Sequence, residues 1–178
     1  MHHKLIGSSW GQKLNKYWEH LYKGLDVPLE NSFPMTTHTG EQIYPYFNAG
    51  TYAIRPEMNL LNKWKKEFVH HYRDKFFRDY FQEDFTYAIF FHQVIFTCVI
   101  LNSLKQNEMQ EFSPRINYPL HLHCEIPRYL QSKTINELIT VRYEQIFIND
   151  WEKMTPIYEP IKSWINSQLN TAIHNESS

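Results

Sequence analysis

Glycine and cysteine are scarce in this chain, with five and two among 178 residues. Without clustered glycines there is no bare-backbone loop to cradle phosphates, and no Gly-x-Ser-x-Gly elbow presents a nucleophilic serine. Cys98 and Cys124 form no Cys-x-x-Cys pair and no disulfide framework, so redox chemistry has no support. Cys98 sits in an apolar run and reads as a small buried hydrophobe, with a bridge to Cys124 left open. Neither charge is in excess: 18 Lys plus Arg face 19 Asp plus Glu, for a net charge of −1. Such a balance exerts no general pull on nucleic acid or anionic lipid, and nucleic-acid binding is not expected. The opening Met1-His2-His3-Lys4-Leu5 lacks the apolar stretch of a signal peptide, so a cytoplasmic location is expected.

What the chain does have is aromatics, at 16%, within an apolar share of 42%. That is enough for one domain, residues 1–178, with a core of large flat side chains. Residues 85–104, FTYAIFFHQVIFTCVILNSL, approach the length of a membrane-spanning helix. Thr86, His92, Gln93, Thr97 and Asn102 interrupt the run and would be costly in lipid. A helix buried in a globular core, and no membrane span, is therefore expected.

Around this helix the pattern predicts a helix-rich mixed α/β fold with a small sheet flanked by helices. Ser9 and Gln12 have capping-box spacing, which predicts a first helix from Trp10 to Lys23, closed by Gly24 in a left-handed conformation. Residues 25–46 read as a long loop punctuated by Pro28, Pro34, Gly40 and Pro45. Thr51 to Arg55, short, β-branched and aromatic, predicts a strand. Pro56 then opens a helix with Leu61, Trp64, Phe68 and Tyr72 on one face. His70 and His71 on it read as surface residues. Residues 117–127 read as an irregular loop, and Thr134 with Glu137 open a short helix. Pro156 and Pro160 precede a last helix bearing Ile161, Trp164, Ile165 and Leu169.

Two stretches could carry chemistry. In Tyr46-Phe47-Asn48-Ala49-Gly50-Thr51, small residues let a ligand approach the backbone, and the Asn48 amide both donates and accepts there. The same residues also suit a plain structural turn. In His121-Leu122-His123-Cys124-Glu125, an extended backbone would put His121, His123 and Glu125 on one side, where two imidazoles and a carboxylate can hold a divalent metal. Loop histidines without a metal are the simpler alternative.

The first stretch, read on through Trp64, resembles the acceptor-side, C-terminal half of GT-A glycosyltransferases of the glycogenin and galactosyltransferase type. Their Asn-Ala/Ser-Gly turn, apolar strand and Trp-bearing helix are followed by an Asp-Gln pair opening a buried helix. His92-Gln93 stands in that place here, and Ile116-Asn117-Tyr118-Pro119 is similar to the strand and loop beyond. The resemblance covers about Tyr46 to Pro127. It implies transfer of a sugar from a nucleotide-sugar donor to a hydroxyl acceptor. Asn48, Ala49 and Gly50 would bind substrate, and His92 and Gln93 would be catalytic. His92 replaces the family's usual Asp, so a carboxylate role does not transfer. A neutral imidazole can instead accept a proton from the acceptor hydroxyl. A core histidine held by hydrogen bonds is the alternative.

The chain has no Asp-x-Asp motif, and too few residues precede Tyr46 for the nucleotide-binding strands. The resemblance therefore implies a fragment whose manganese or magnesium ion enters only with the missing half. The competing reading is a non-catalytic interaction domain, self-associating through exposed apolar surface around Trp10, Trp18, Trp64 or Trp164.

Overall fold

The computed structural model describes residues 6–142 and 157–167. The chain divides into two compact units, His2–Glu111 and Phe112–Ser178. The fold is helix-rich and mixed α/β, and among the described residues the strands form two small two-stranded sheets.

In the N-terminal unit, helix α1 spans Lys16–Gly24 and starts six residues later than the sequence predicts. The segment before it is claimed by a hairpin. Strands β1 (Met35–Thr36) and β2 (Gln42–Ile43) pair antiparallel, and Ser9 adds a bridge to Ile43. Trp10 N–H donates to the Gln42 carbonyl at 3.0 Å, and Gly11 turns the chain at φ 77°. Asn15 is thus the true cap, accepting from Trp18 N–H at 3.0 Å. The expected 25–46 loop holds this hairpin, with Met35, Ile43 and Tyr46 in the core.

Gly24 ends α1 but does not take the left-handed turn, which falls on Asp26 at φ 52°. Its small size matters for another reason. A Cβ on Gly24 would come 3.0 Å from Cε1 of His71. Alanine would gain roughly 1 kcal/mol of helix propensity, but crowding a packed site costs about 1–3 kcal/mol. Because His71 is buried and cannot swing away, Gly24→Ala is expected to lose about 1 kcal/mol net, read by urea denaturation.

Helix α2 (Leu60–His71) begins only after a 3-10 turn at Pro56–Met58 and a left-handed Asn59 at φ 53°. Its buried residues are Leu60 and His71, with Trp64 and Phe68 packed partly against the core, while Leu61 and Tyr72 stay exposed. His71 therefore contradicts the surface assignment, whereas His70 is exposed. Helix α3 (Lys75–Glu83) is capped by Asp74, and α4 (Phe85–Ser103) by Asp84, whose carboxylate accepts from Thr86 N–H at 2.8 Å.

Helix α4 is long and apolar enough to cross a membrane, yet in this unit it is the central core element. Tyr87 packs on Tyr17 at 4.7 Å, and Phe91 meets Phe68, Phe77 and Phe81 within 5.6 Å. Thr51 to Arg55, predicted as a strand, is instead irregular backbone outside any sheet and mostly exposed. Among the described residues no strand pairs with it, and Tyr52 and Ile54 pack against the helical core instead.

The His71 ring carries a pH prediction. Burial pushes its basicity down, and adjacent His70 adds to this; His20 also opposes protonation, while Glu67 and Asp74 favour it. Its Nε2 is 3.7 Å from a Glu67 oxygen, beyond hydrogen-bond range. The unfolded chain then binds the extra proton more readily than the folded one. Stability is full above the ordinary histidine value near 6.5 and declines as pH falls below it. His123 contributes in the same direction, through burial. Asp74 acts lower. Burial pushes its carboxyl up, but hydrogen bonds from His20 and Phe76 N–H outweigh that and hold it below the carboxylate range. Unfolding free energy measured from pH 7.5 to 5 should fall in the wild type and fall less in His71→Gln; equal slopes would contradict the assignment.

In the C-terminal unit, β3 (Tyr118–Pro119) pairs parallel with β4 (Val141–Arg142). Tyr118, Leu120, Ile126 and Ile135 form its core, with Leu130, Leu138, Ile157 and Ile165 packed around them. The expected loop at 117–127 contains β3 and a 3-10 helix, Leu120–Glu125. Thr134 precedes only a 3-10 turn and makes no side-chain cap; Glu137 instead accepts from Ser132 Oγ and Lys133 N–H, both at 3.1 Å. Residues 161–167 are helical, as the sequence predicts; Pro156 and Leu169 of that expectation lie outside the described residues. Cys98 and Cys124 are both free, so the bridge left open by the sequence does not form.

Candidate functional site

Residues 46–52 cross one side of α4 and are held to it at both ends. Phe47 N–H donates to Thr97 Oγ1 at 2.9 Å, and that hydroxyl donates to the Gln93 carbonyl one turn earlier, also at 2.9 Å. At the other end, the Tyr52 ring lies 5.3 Å from Phe96 and 6.2 Å from Trp64. The Asn48-Ala49-Gly50 turn is bracketed by these two anchors. On a helix, positions 92 and 96 share one strip and 93 and 97 the next. The turn thus spans the face of α4 that carries His92 and Gln93.

Within the turn, Asn48 is engaged locally. Its side-chain oxygen accepts from Gly50 N–H at 2.7 Å, an Asx turn that makes the bend. Its amide NH2 is the group left to meet a ligand. The Thr97 anchor gives a test of this local design. Thr97→Val keeps the shape but removes the acceptor for Phe47 N–H, an unmade bond costing about 1–3 kcal/mol. Faster hydrogen exchange at the Phe47 amide, with helix content unchanged, is the expected signature.

His92 is half-buried and defined on two sides. Its Nδ1 lies 2.9 Å from the Ile89 carbonyl. A carbonyl only accepts, so Nδ1 carries the proton in the neutral ring and Nε2 bears the lone pair. Trp64 fixes the backbone here, its indole N–H donating to the His92 carbonyl at 2.8 Å. The two rings are 6.4 Å apart, with Phe96 4.5 Å from Trp64. Gln93 is buried, and its side-chain oxygen has no hydrogen-bond partner. Buried polar atoms are nearly always paired, so this enclosed oxygen is an unusual feature of the helix interior.

Sequence reading did not single out Tyr52, Phe96 or Thr97 for this site. Phe96 and Thr97 lie in an apolar run where nothing marks the strip that meets residues 47 and 52. The only signal was their spacing of three to five residues from His92 and Gln93.

His121 and His123 belong to the C-terminal unit, on the 3-10 helix at 120–125. With three residues per turn, the alternation that would align His121, His123 and Glu125 is lost. The His123 ring is buried and its Nδ1 lies 2.7 Å from the Tyr118 hydroxyl. Among the described residues no group of three histidine, cysteine or acidic side chains is placed to hold a metal.

A model of the Rhodobacterales glycosyltransferase domain matches residues 4–102. The chain belongs to this family. The matched span is more than half of the 178 residues and falls within the N-terminal unit, ending at the close of α4. It holds the Asn48 turn, His92 and Gln93. No curated protein and no solved structure matches the chain.

Proposed function

We propose that this glycosyltransferase-like domain takes part in moving a sugar from a nucleotide-sugar donor to a hydroxyl acceptor, in the manner of the acceptor side of a GT-A enzyme. One observation carries the reading. Within the family-matched residues, His92 presents a fixed tautomer with Nε2 as acceptor, on the helix face crossed by the Asn48 turn.

In this scheme Nε2 of His92 takes the proton from the acceptor hydroxyl as its oxygen attacks the sugar's anomeric carbon, and the nucleoside diphosphate leaves with the bonding electrons. The amide of Asn48 and the backbone at Ala49 and Gly50 orient the sugar hydroxyls, with Gln93 buried behind His92 in the same helix. Manganese or magnesium would offset the diphosphate charge in such transfers. The residues described do not form a site for it, and no step here runs through a metal.

Isothermal titration with UDP- and GDP-sugars plus manganese, on this chain and on any longer chain containing it, tests the proposal. Heats that saturate in either support it. Silence from both overturns it.

A second reading, a non-catalytic association domain, draws on Leu61, Val69, Tyr72, Phe85 and Ile89, all exposed on α2, its C-terminal end and α4. Trp10 and Trp164 are also exposed, at 38% and 63%, but Trp64 is half-buried and Trp18 is core. Size-exclusion chromatography with light scattering decides this: a monomer at every concentration removes it.

A further inference from the structure

The C-terminal unit contains a cavity of about 320 Å³ lined by Pro114, Arg115, Tyr118, Leu130, Glu137 and Leu138, with Gln131 and Ser132 at its edge. It lies beyond the family-matched residues, and no role above involves it. From its lining we infer that this unit binds a small neutral polyhydroxy ring, a monosaccharide or similar polyol.

Three features lead there. The first is size. Ligand pockets start at about 300 Å³, so this one has room for about one ring. The second is charge. One guanidinium and one carboxylate share the cavity. An anion would be drawn to Arg115 and repelled by Glu137, and a cation the reverse. Hydroxyl groups, which both donate and accept, satisfy the two together.

The third is that the polar groups are held before any ligand arrives. Arg115 Nε–H donates to the Glu137 carbonyl, which fixes the base of the guanidinium and leaves its terminal NH2 groups as donors. Glu137 Oε2 accepts from Ser132 Oγ and Lys133 N–H, which leaves Oε1 as acceptor. Gln131 is tethered through its NH2 to the His123 and Ile126 carbonyls at 3.0 and 2.7 Å, with its own oxygen remaining. The Tyr118 hydroxyl is tied to His123 and its ring is buried in the core of the unit, so it backs the cleft without offering a polar tip. Pro114, Leu130 and Leu138 supply apolar walls for the C–H faces of a pyranose. Preordered donors and acceptors reduce the ordering cost of binding.

The inference does not rest on sugar transfer at His92, and the test separates them. Saturation-transfer NMR on the full chain uses methyl α-glucopyranoside, methyl β-galactopyranoside and N-acetylglucosamine as probes, with benzoate and tetramethylammonium as charged controls. Saturation of ring C–H protons by at least one sugar is expected, with dissociation constants of about 1 mM, and neither control should compete. Glu137→Gln retains an oxygen for Ser132 and Lys133 and should weaken binding about tenfold. Arg115→Gln, at an exposed position, should weaken it comparably while the amide spectrum keeps its dispersion. No transfer to any sugar, or binding indifferent to both pocket variants, would overturn the inference.

Discussion

Replacing Trp18 by alanine is expected to cost the N-terminal unit about 3–5 kcal/mol and to lower its melting temperature by roughly 12 °C or more. Trp18 is 1% exposed and meets Tyr17, Tyr22 and Tyr46 edge-on at 6.1–6.4 Å. Removing it opens a cavity among rings that cannot collapse onto one another. It also strips the Ile6 carbonyl of the indole N–H, which donates at 2.7 Å. Domain stabilities are typically about 5–15 kcal/mol, so the loss is a large fraction of the whole. Trp18→Phe keeps most of the ring surface and should lose less, mainly through the orphaned carbonyl. Scanning calorimetry on both variants checks the order. A tolerated alanine would show that residues 6–22 do not close the core as described.

The second large effect belongs to His92. As the proposed base, its replacement by glutamine should slow sugar transfer by about 10²–10⁴-fold. Donor affinity should stay within about twofold, because uniform binding and proton transfer are separable. The backbone bond from Trp64 to the His92 carbonyl does not depend on the side chain, so the helix should survive the change. Turnover by an assembled, active form gives the rates, and titration gives the affinity. A variant with unchanged turnover would remove His92 from the chemistry while leaving the family membership intact.

Helix α4 was the most legible element. Its run of apolar residues has one reading for length, and Asp84 and Ser103 bound it within a residue of expectation. The helix-rich mixed class and the turn at Asn48 were also readable, because small residues and an Asx side chain act locally. The first helix was misplaced because a capping pattern at Ser9 and Gln12 competes with a distant partner. Ile43 lies more than thirty residues along the chain, and pairing with it outweighs the local cap. The strand at Thr51 to Arg55 failed for the mirror reason: β propensity needs a neighbour, and none is within reach. His71 looked like a surface residue beside His70, but one step around the helix is about 100°, enough to put one ring in solvent and the other against Gly24.

The sequence alone determined the chemistry available. It has too few glycines and cysteines for phosphate loops or redox pairs, an apolar helix interrupted by His92 and Gln93, and a tight turn at Asn48. Only the tertiary structure decided how these are arranged. The hydroxyl of Thr97 and the ring of Phe96 pin the turn across the helix face bearing His92 and Gln93. Those contacts join residues more than forty positions apart. Their formation depends on packing against the whole unit, which no local pattern encodes.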